Sequence, residues 1–526
     1  MPTVDHTQRP QNRRVASFLG RSPLPRFWLA FATSVLLTNA GGLAAQAPPA
    51  DEVRGTWLTT TANDAIASPA RTNETMRRLR EVGLNTVYVE VWKNGYTQYP
   101  SEVLRRVIGV DRRPALMKQD PSDSPGAVAA EGRDLLEETL IAAHREGLAY
   151  IAWFEYGFMA AHKDTDNHLR RMKPDWLSRD LKGNEIAPNG FVWMNPLHPE
   201  ARRFLLDLVL EAVERYDLDG IQLDDRIVWP YITMGYDDCT RSVYAAEHEG
   251  RQPPDDHTDE AWRRWRADKI NEYARQFVTE VRAARPGLIV SLSPAVYPWC
   301  YENYCLEWPK WAAWGTDAPS ADDPSQSPPP RWDEFIPQCY RFNYPAFERT
   351  WLEQVSWMNR LGGGRVRDML PGIRVVGEGA DSTWDDLRKS IELARRTGAG
   401  GHVLWYSKGV FLYERELTDL YQSKDRGPAG HPKLPAGWRP RPLPMAPSKP
   451  LRDNETRGLR WGPKDGSIPA GDYRIIARRG DVWTQEGQIE LGGGRPGHAS
   501  VSLRAPADQV ELLKDRRAES RRARER

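Results

Sequence analysis

The stretch DLDGIQLDDRIVWP, Asp217 to Pro230, packs four aspartates into nine residues around a short apolar run. Side chains of a strand alternate between its two faces. With Ile221 and Leu223 turned outward, Gln222 and Asp224 share the inner face, and Asp224 ends the strand. Asp225 begins the loop, where it can cap or orient. The same alternation in NTVYVEVW puts Val87, Val89 and Val91 on one face and Tyr88, Glu90 and Trp92 on the other. In LAYIAWFEY, Ile151, Trp153 and Glu155 share a face. If these strands lie side by side in chain order, Glu90, Glu155 and Asp224 converge on one rim. Glu378, ending LPGIRVVGE, is a more distant candidate. Paired carboxylates suit glycoside hydrolysis, one as proton donor and the other as nucleophile or water-activating base. Crowding raises one of the two pKa values and keeps the donor protonated. The bland alternative is that each acid is tied up in a salt bridge with Arg or Lys.

Trp is abundant, 21 of 526 residues, and Trp92, Trp193, Trp229, Trp299 and Trp405 fall in loops after strands. Most of these rings are expected to fill the core. Trp153, Trp405 and Tyr340 lie near strand ends and are the best candidates, with Trp92, to stack on a sugar. Other chemistries find little support. No His-Glu-x-x-His helix and no His-x-His on the first strand offers zinc ligands. Asp224 and Asp225 lack the further oxygen ligands a divalent cation needs. No Gly-x-Ser-x-Gly elbow occurs. His402 starts its strand, at the wrong end for catalysis, and His144 lies on a helix. No cofactor is implied.

Eight strand-like runs alternate with amphipathic helical runs over residues 51–423. The strands are VRGTWLTT, NTVYVEVW, LAYIAWFEY, GIQLDD, LIVSLSPA, EFIPQCY, LPGIRVVGE and GHVLWYS. That count predicts an α/β fold, the (β/α)8 TIM barrel, whose active sites lie at the C-terminal ends of the strands. A doubly wound open sheet would also alternate, but no Gly-x-Gly-x-x-Gly follows the first strand. Residues 424–450 are Pro-rich and read as a linker. Residues 451–515 carry short alternating runs joined by Gly-rich turns and predict a small β-rich module, which packs on the barrel or binds carbohydrate. Residues 516–526 form a basic tail.

At the other end, Arg13, Arg14, Arg21 and Arg26 precede the apolar run Phe27–Leu37, and Ala45-Gln46-Ala47 supplies small residues for cleavage. Residues 1–47 therefore read as a signal peptide, with an apolar run short for a bilayer span and no stable membrane insertion after cleavage. The expected location is periplasmic or extracellular. Lys and Arg total 73 against 72 Asp and Glu, a balance that argues against a nucleic-acid partner. Four cysteines suit an exported chain: Cys300 and Cys305 bracket YENY, a loop a disulfide could close, with Cys239 and Cys339 as a second possible pair or all four as thiols.

The ordered set VRGTWLTT, NTVYVEVW with GYTQYPS, AHREGLAYIAWFEYGFM, YDLDGIQLDD, WRADKIN, SLSPA and IPQCYR resembles the glycosyl-hydrolase-like 10 family. This family groups with glycoside hydrolases implicated in bacterial cell-wall glycan cleavage. Many members resemble DGIHFDDYF at the fourth strand, whereas this chain has Gln222 in place of His and Arg226 in place of Tyr. At the third strand end many carry Asn, where this chain has Glu155. The spacing Gly220-x-x-x-Asp224 is also similar to the nucleophile strand of α-amylase-type barrels. The resemblance implies an exported glycoside hydrolase acting on a bacterial polysaccharide, with peptidoglycan glycan strands the leading substrate. Asp224 is then expected as nucleophile or base and Glu155 as general acid, with Glu90 in reserve. Asp225, Gln222 and Tyr340 would orient sugar or carboxylates. The rival expectation is a carbohydrate-binding or scaffold barrel without catalysis.

Overall fold

A computed structural model of the chain describes residues 49–117, 132–315, 330–422, 429–435, 438–447, 460–463, 468–491, 501–503 and 507–517. The expected signal peptide and most of the basic tail lie outside these residues.

Eight parallel strands form one sheet: β1 (Val53–Leu58), β2 (Thr86–Glu90), β3 (Ala149–Phe154), β4 (Gly220–Asp224), β5 (Ile289–Ser293), β6 (Glu334–Phe335), β7 (Gly372–Arg374) and β8 (Gly401–Trp405). Their order, β6-β5-β4-β3-β2-β1-β8-β7, follows the chain around a ring. Parallel bridges Phe335↔Met369 and Gln338↔Gly372 join the two ends. Leu370 N donates to Phe335 O at 2.9 Å and Gly372 N to Pro337 O at 3.0 Å. The sheet is therefore closed, the (β/α)8 fold expected from the alternation. Strands β6 and β7 are the shortest. Pro337 follows the first and Pro371 precedes the second, each removing a ladder donor.

Helices cover the outside, and their starts are written in the sequence. Ser68, Asp134, Asp259, Asn343 and Thr383 each accept a backbone N–H in the first turn of the helix that follows. Inside, aromatic rings pack the barrel. Trp57 meets Tyr88, Trp153, Tyr340 and Trp405 at centroid distances of 5.9, 6.3, 6.4 and 5.8 Å. Its indole donates to Gln222 Oε1 at 2.8 Å, and Gln222 Nε2 donates to Ser291 Oγ at 3.0 Å. These contacts fix the floor beneath the C-terminal mouth.

The C-terminal module is a six-stranded antiparallel sheet: β9 (Leu443–Pro447), β10 (Arg460–Pro463), β11 (Gly471–Arg479), β12 (Val482–Leu491), β13 (Val501–Ser502) and β14 (Gln509–Lys514). The run GDYRIIARRGDVW is a hairpin, because Gly480-Asp481 makes a two-residue turn between paired Arg479 and Val482. The stretch 424–450 corrects the linker expectation in its described parts. Gly430 bridges to Asp51, Leu443–Pro447 is a strand paired with β14, and Trp438 and Arg439 reach into the barrel bottom. Pro-rich composition concealed a segment that is tied down by side chains.

At that bottom, Arg439 Nη1 donates to Asp217 Oδ2 at 2.7 Å and Nε to Asp219 Oδ1 at 2.9 Å. Arg285 Nη2 also reaches Asp217 at 3.1 Å, and Arg474 from β11 lies 3.6 Å from it. His144 bridges Asp219 Oδ2, 3.0 Å away, and Arg474, 2.7 Å away. Arg474 can only donate, so His144 Nδ1 accepts and Nε2–H donates to Asp219: the imidazole is neutral. Burial pushes Asp217 and Asp219 up, but the arginines outweigh it and hold both well below the usual carboxylate range. An apolar patch, Ile141 with Ile476, Trp483 and Leu513, seals the seam.

The four cysteines are separate thiols. Cys300 sits in the short helix Trp299–Tyr304 with its Sγ toward Leu306 O at 3.4 Å, and Cys305 caps that helix in the left-handed region at φ 55°. The helix makes the 300–305 segment a packed element, and of the two possibilities the sequence left open the thiols are the one found.

Candidate active site

Four carboxylates meet at the C-terminal ends of β2, β3 and β4, held by two cations. Glu90 ends β2 and is fully buried. Thr60 Oγ1 donates to its Oε1, and Thr60 N to its Oε2 at 3.3 Å. Immediately after β2 a hairpin pairs Trp92–Lys93 with Tyr96–Thr97 across Asn94-Gly95, both at positive φ. This turn folds Lys93 back over the strand end. Its Nζ lies 2.8 Å from Glu90 Oε2 and 2.9 Å from Glu155 Oε2. Arg226, two residues after Asp224, makes the second bridge. Its Nη1 bonds to Asp224 Oδ2, donates to the Glu155 carbonyl at 3.0 Å, and lies 3.6 Å from both Glu155 Oε1 and Asp225 Oδ1. Gln338, after β6, donates to the other Asp224 oxygen at 2.7 Å.

Lys93 and Arg226 bridge four carboxylates, of which Glu90, Glu155 and Asp224 are buried and Asp225 is partly exposed, so burial and crowding favour protons on some of them. Burial pushes Glu90 up to about 7, with Lys93 opposing and Glu155 adding to the rise. Burial also raises Asp224 well above the usual carboxylate range, and the neighbouring Asp225 reinforces this against Arg226. Glu155 goes the other way. Burial alone would raise it, but Lys93 and Arg226 flank it and pull it below its ordinary value. The cluster thus holds an ionised Glu155 between two acids that favour their protons.

A second group of expected residues faces this cluster. Trp153, Tyr340 and Trp405 pack together, with Trp153–Trp405 at 6.1 Å and Tyr340–Trp405 at 5.6 Å. Tyr340 and Trp405 are partly exposed, while Trp153 is buried and its Nε1 has no hydrogen-bond partner among the described residues. Glu378 lies exposed on the rim, its carbonyl accepting from Arg374 at 2.6 Å. Two expectations are corrected. Trp92 is buried in the wall, donating to Gly157 O at 3.1 Å with its ring against Phe204, so it offers no face to a sugar. Gln222 spends both ends of its amide on Trp57 and Ser291 beneath the mouth. Lys93, Gln338, Thr60 and the bridging place of Arg226 were missed. Only Lys93 carried a signal, the Asn-Gly hairpin turn that follows it. Among the described residues, no three of His, Cys, Asp and Glu are arranged to hold a metal ion.

The profile of the family described as glycosyl hydrolase-like 10 matches residues 52–317, half of the chain and every strand from β1 to β5. The chain belongs to the glycosyl hydrolase-like 10 family. As a member of it, the chain is 27% identical over 263 residues to glycosyl hydrolase YngK of Bacillus subtilis (strain 168), covering 46% of this chain and 45% of that one. It is 22% identical over 272 residues to glycosyl hydrolase DigH of Escherichia coli (strain K12), covering 46% and 55%. The chain thus spans about half the length of the curated relatives it matches. Among solved structures it is similar to the PgaB (BpsB) glycoside hydrolase domain from Bordetella bronchiseptica, with 14% identity and a TM-score of 0.47, covering 72% of this chain and 100% of that one. The matched span contains Glu90, Glu155, Asp224 and Asp225, whereas Tyr340, Arg374 and Trp405 lie beyond it.

Chemically, this arrangement can donate a proton and present an anion across one gap. Asp224 Oδ2 and Glu155 Oε1 share the neighbour Arg226 Nη1, which keeps them no more than about 6 Å apart, short of the ~6.5–9.5 Å that leaves room for an attacking water.

Proposed function

We propose that the protein is an exported glycoside hydrolase that cleaves O-glycosidic bonds of a bacterial polysaccharide, with peptidoglycan glycan strands as the leading substrate. The observation that carries this is the Asp224–Glu155 pair at the barrel mouth, two close carboxylates pushed toward opposite protonation states. In the mechanism this favours, Asp224 gives its proton to the leaving oxygen while Glu155 attacks the anomeric carbon. The C–O bond breaks as a glycosyl ester of Glu155 forms. Water then attacks that ester, Asp224 takes its proton, and configuration is retained. This inverts the roles expected from the sequence, and the support for the inversion is that Lys93 and Arg226 both flank Glu155. Glu90 and Lys93 tune Glu155 from below. Export rests on the leader-like residues 13–47.

One observation favours a second reading. The Arg226 guanidinium occupies the space between the two carboxylates, so a barrel in which it stays there would bind glycan without cleaving it. Product release from purified peptidoglycan, intact and stripped of stem peptides, separates the two. Wild type should release sugar fragments and Asp224→Asn should lose several orders of magnitude in rate. Fragments from both proteins would remove Asp224 from the chemistry. Glycan binding by both with no fragments, there and across a wider glycan panel, would establish the binding barrel.

A further inference from the structure

Across the mouth from the acid cluster lies a cation that makes no ion pair among the described residues. Arg374 ends β7, in register with Trp405 of β8. A Cβ on Gly372 would meet the Trp57 ring inside the barrel at 3.3 Å, so by the two-residue period Arg374 faces that same interior, at its open end. Only 7% of Arg374 is exposed. Its Nη2 donates to Glu378 O at 2.6 Å, and its guanidinium lies over the Phe342 ring at 4.3 Å. Nη1 has no hydrogen-bond partner among the described residues, and the acid whose field reaches the group is the exposed Asp381. Buried charges are ordinarily paired. Two other cations of the mouth, Lys93 and Arg226, each serve at least two carboxylates.

Arg374 is also beside a ring suited to a sugar. A Cβ on Gly377 would lie 3.8 Å from Trp405 Nε1 and 4.0 Å from Arg374 Nε, so both groups border one glycine at the rim. Trp405 is partly exposed, and Phe342, covering one side of the guanidinium, is 52% exposed. We propose that Arg374, Trp405 and Phe342 form a subsite for a sugar ring that carries an oxyanion, the ring against Trp405 and the anion on Arg374 Nη1. The subsite's place along a substrate rests on the glycan-cleavage reading; its binding does not. A carboxylate and a sulfate ester present similar oxygens to a guanidinium, whose donors form their strongest hydrogen bonds with anions. Phe342 keeps water from one side and so strengthens the pairing. A neutral sugar would leave Nη1 unpaired.

The test is saturation-transfer difference NMR on the full chain with three probes: methyl β-glucuronide, methyl β-glucoside and glucose 6-sulfate. The glucuronide should show at least fivefold stronger saturation than the glucoside. The signal should vanish in Arg374→Met and persist, weakened, in Arg374→Lys, which keeps the charge if the methionine variant does not fold. The sulfate then decides whether any oxyanion serves or only a carboxylate. Equal saturation of glucuronide and glucoside would overturn the subsite. So would an Arg374→Met protein that behaves as wild type, or the absence of any signal. Asp224→Asn should match wild type in this experiment even if no glycan is ever cleaved, so failure of the catalytic reading leaves this result standing.

Discussion

Arg439→Met tests whether the C-terminal module is part of the barrel or an accessory attached to it. Arg439 sits in the stretch expected to be a linker, yet it is the main cation of the bottom network. It donates to Asp217 Oδ2, to Asp219 Oδ1, to the Asp217 carbonyl at 3.0 Å and to Lys514 O of β14 at 3.2 Å. Methionine keeps the stem volume and removes the charge. Asp217 would retain Arg285 and Arg474, and Asp219 would retain His144 and Trp438, so neither is stripped bare. Hydrogen bonds to charged groups contribute about 1.5–3 kcal/mol each. Breaking a buried pair by removing one partner costs about 3–5 kcal/mol. Because the remaining partners compensate in part, a loss of roughly 3 kcal/mol, the lower end of the second range, is expected. Urea unfolding, followed by tryptophan fluorescence and far-UV circular dichroism together, measures it. The two probes should move as one transition, shifted to lower urea in the variant, because the network spans β4 of the barrel and β11 of the module. A loss under about 1 kcal/mol, within the range of an exposed ion pair, would refute this account. So would a separate early transition of the module that leaves the barrel's midpoint unchanged.

Two further outcomes follow from charge. Arg226→Gln removes one of the two cations that hold Glu155 down, so the pKa of Glu155 should rise. The acid limb of the kcat/KM profile should then move toward neutral pH. A lowered rate with an unmoved limb would mean that Arg226 is only a strut, and a 13C carboxyl titration reads the same shift without substrate. His144 concerns stability. Burial and Arg439 lower it from 6.5 to about 4, so the folded state keeps it neutral while the unfolded chain binds a proton below pH 6.5. Its stabilisation is therefore complete above pH 6.5 and is lost as pH falls toward 4, by roughly 3 kcal/mol over that window. Asp217 and Asp219, held low by the same arginines, lose theirs in the same direction at still lower pH. His144→Gln should flatten the fall of the urea midpoint between pH 7 and 4.5. An equally steep fall would assign the acid sensitivity elsewhere.

The barrel was legible because its strands are short apolar runs with sharp alternation, and alternation alone fixes which side chains enter the interior. It placed Glu90, Glu155 and Asp224 on the inner face, and closure of the sheet brought them together. Its reach ended where the backbone leaves the strand. Trp92 shares the parity of Glu90, but the Asn94-Gly95 hairpin starts at once and turns the indole into the wall. Gln222 has the right parity and the wrong height, one layer below the mouth. The segment 424–450 looked like a linker because Pro and Gly dominate it, while what ties its described parts down is a short strand, one bridge and side chains such as Arg439 and Trp438, none of which shows as periodicity. The cations escaped notice for a related reason. Lys93, Arg226 and Arg374 have long, rotatable side chains whose partners are set by the fold, and the protonation of each acid is set by those partners.

The opening stretch shows what this means for function. Its four aspartates stand in pairs at the two ends of β4, a strand of five residues, on the order of 16 Å long. The residue type is the same at each end, and burial opposes ionisation at both. At the N-terminal end Arg439, Arg285 and Arg474 serve the pair, and the carboxylates stay charged. At the C-terminal end Arg226 is shared with Glu155, and Asp224 favours its proton. The supply of arginine, then, decides which aspartates hold the protein together and which can do acid–base chemistry. A mouth short of cations costs stability, as buried acids in want of counter-ions must. That cost is tolerable because the opposite end of the same strand is tied to the module by a well-neutralised network, so the demands of folding and of catalysis fall on different ends of one element.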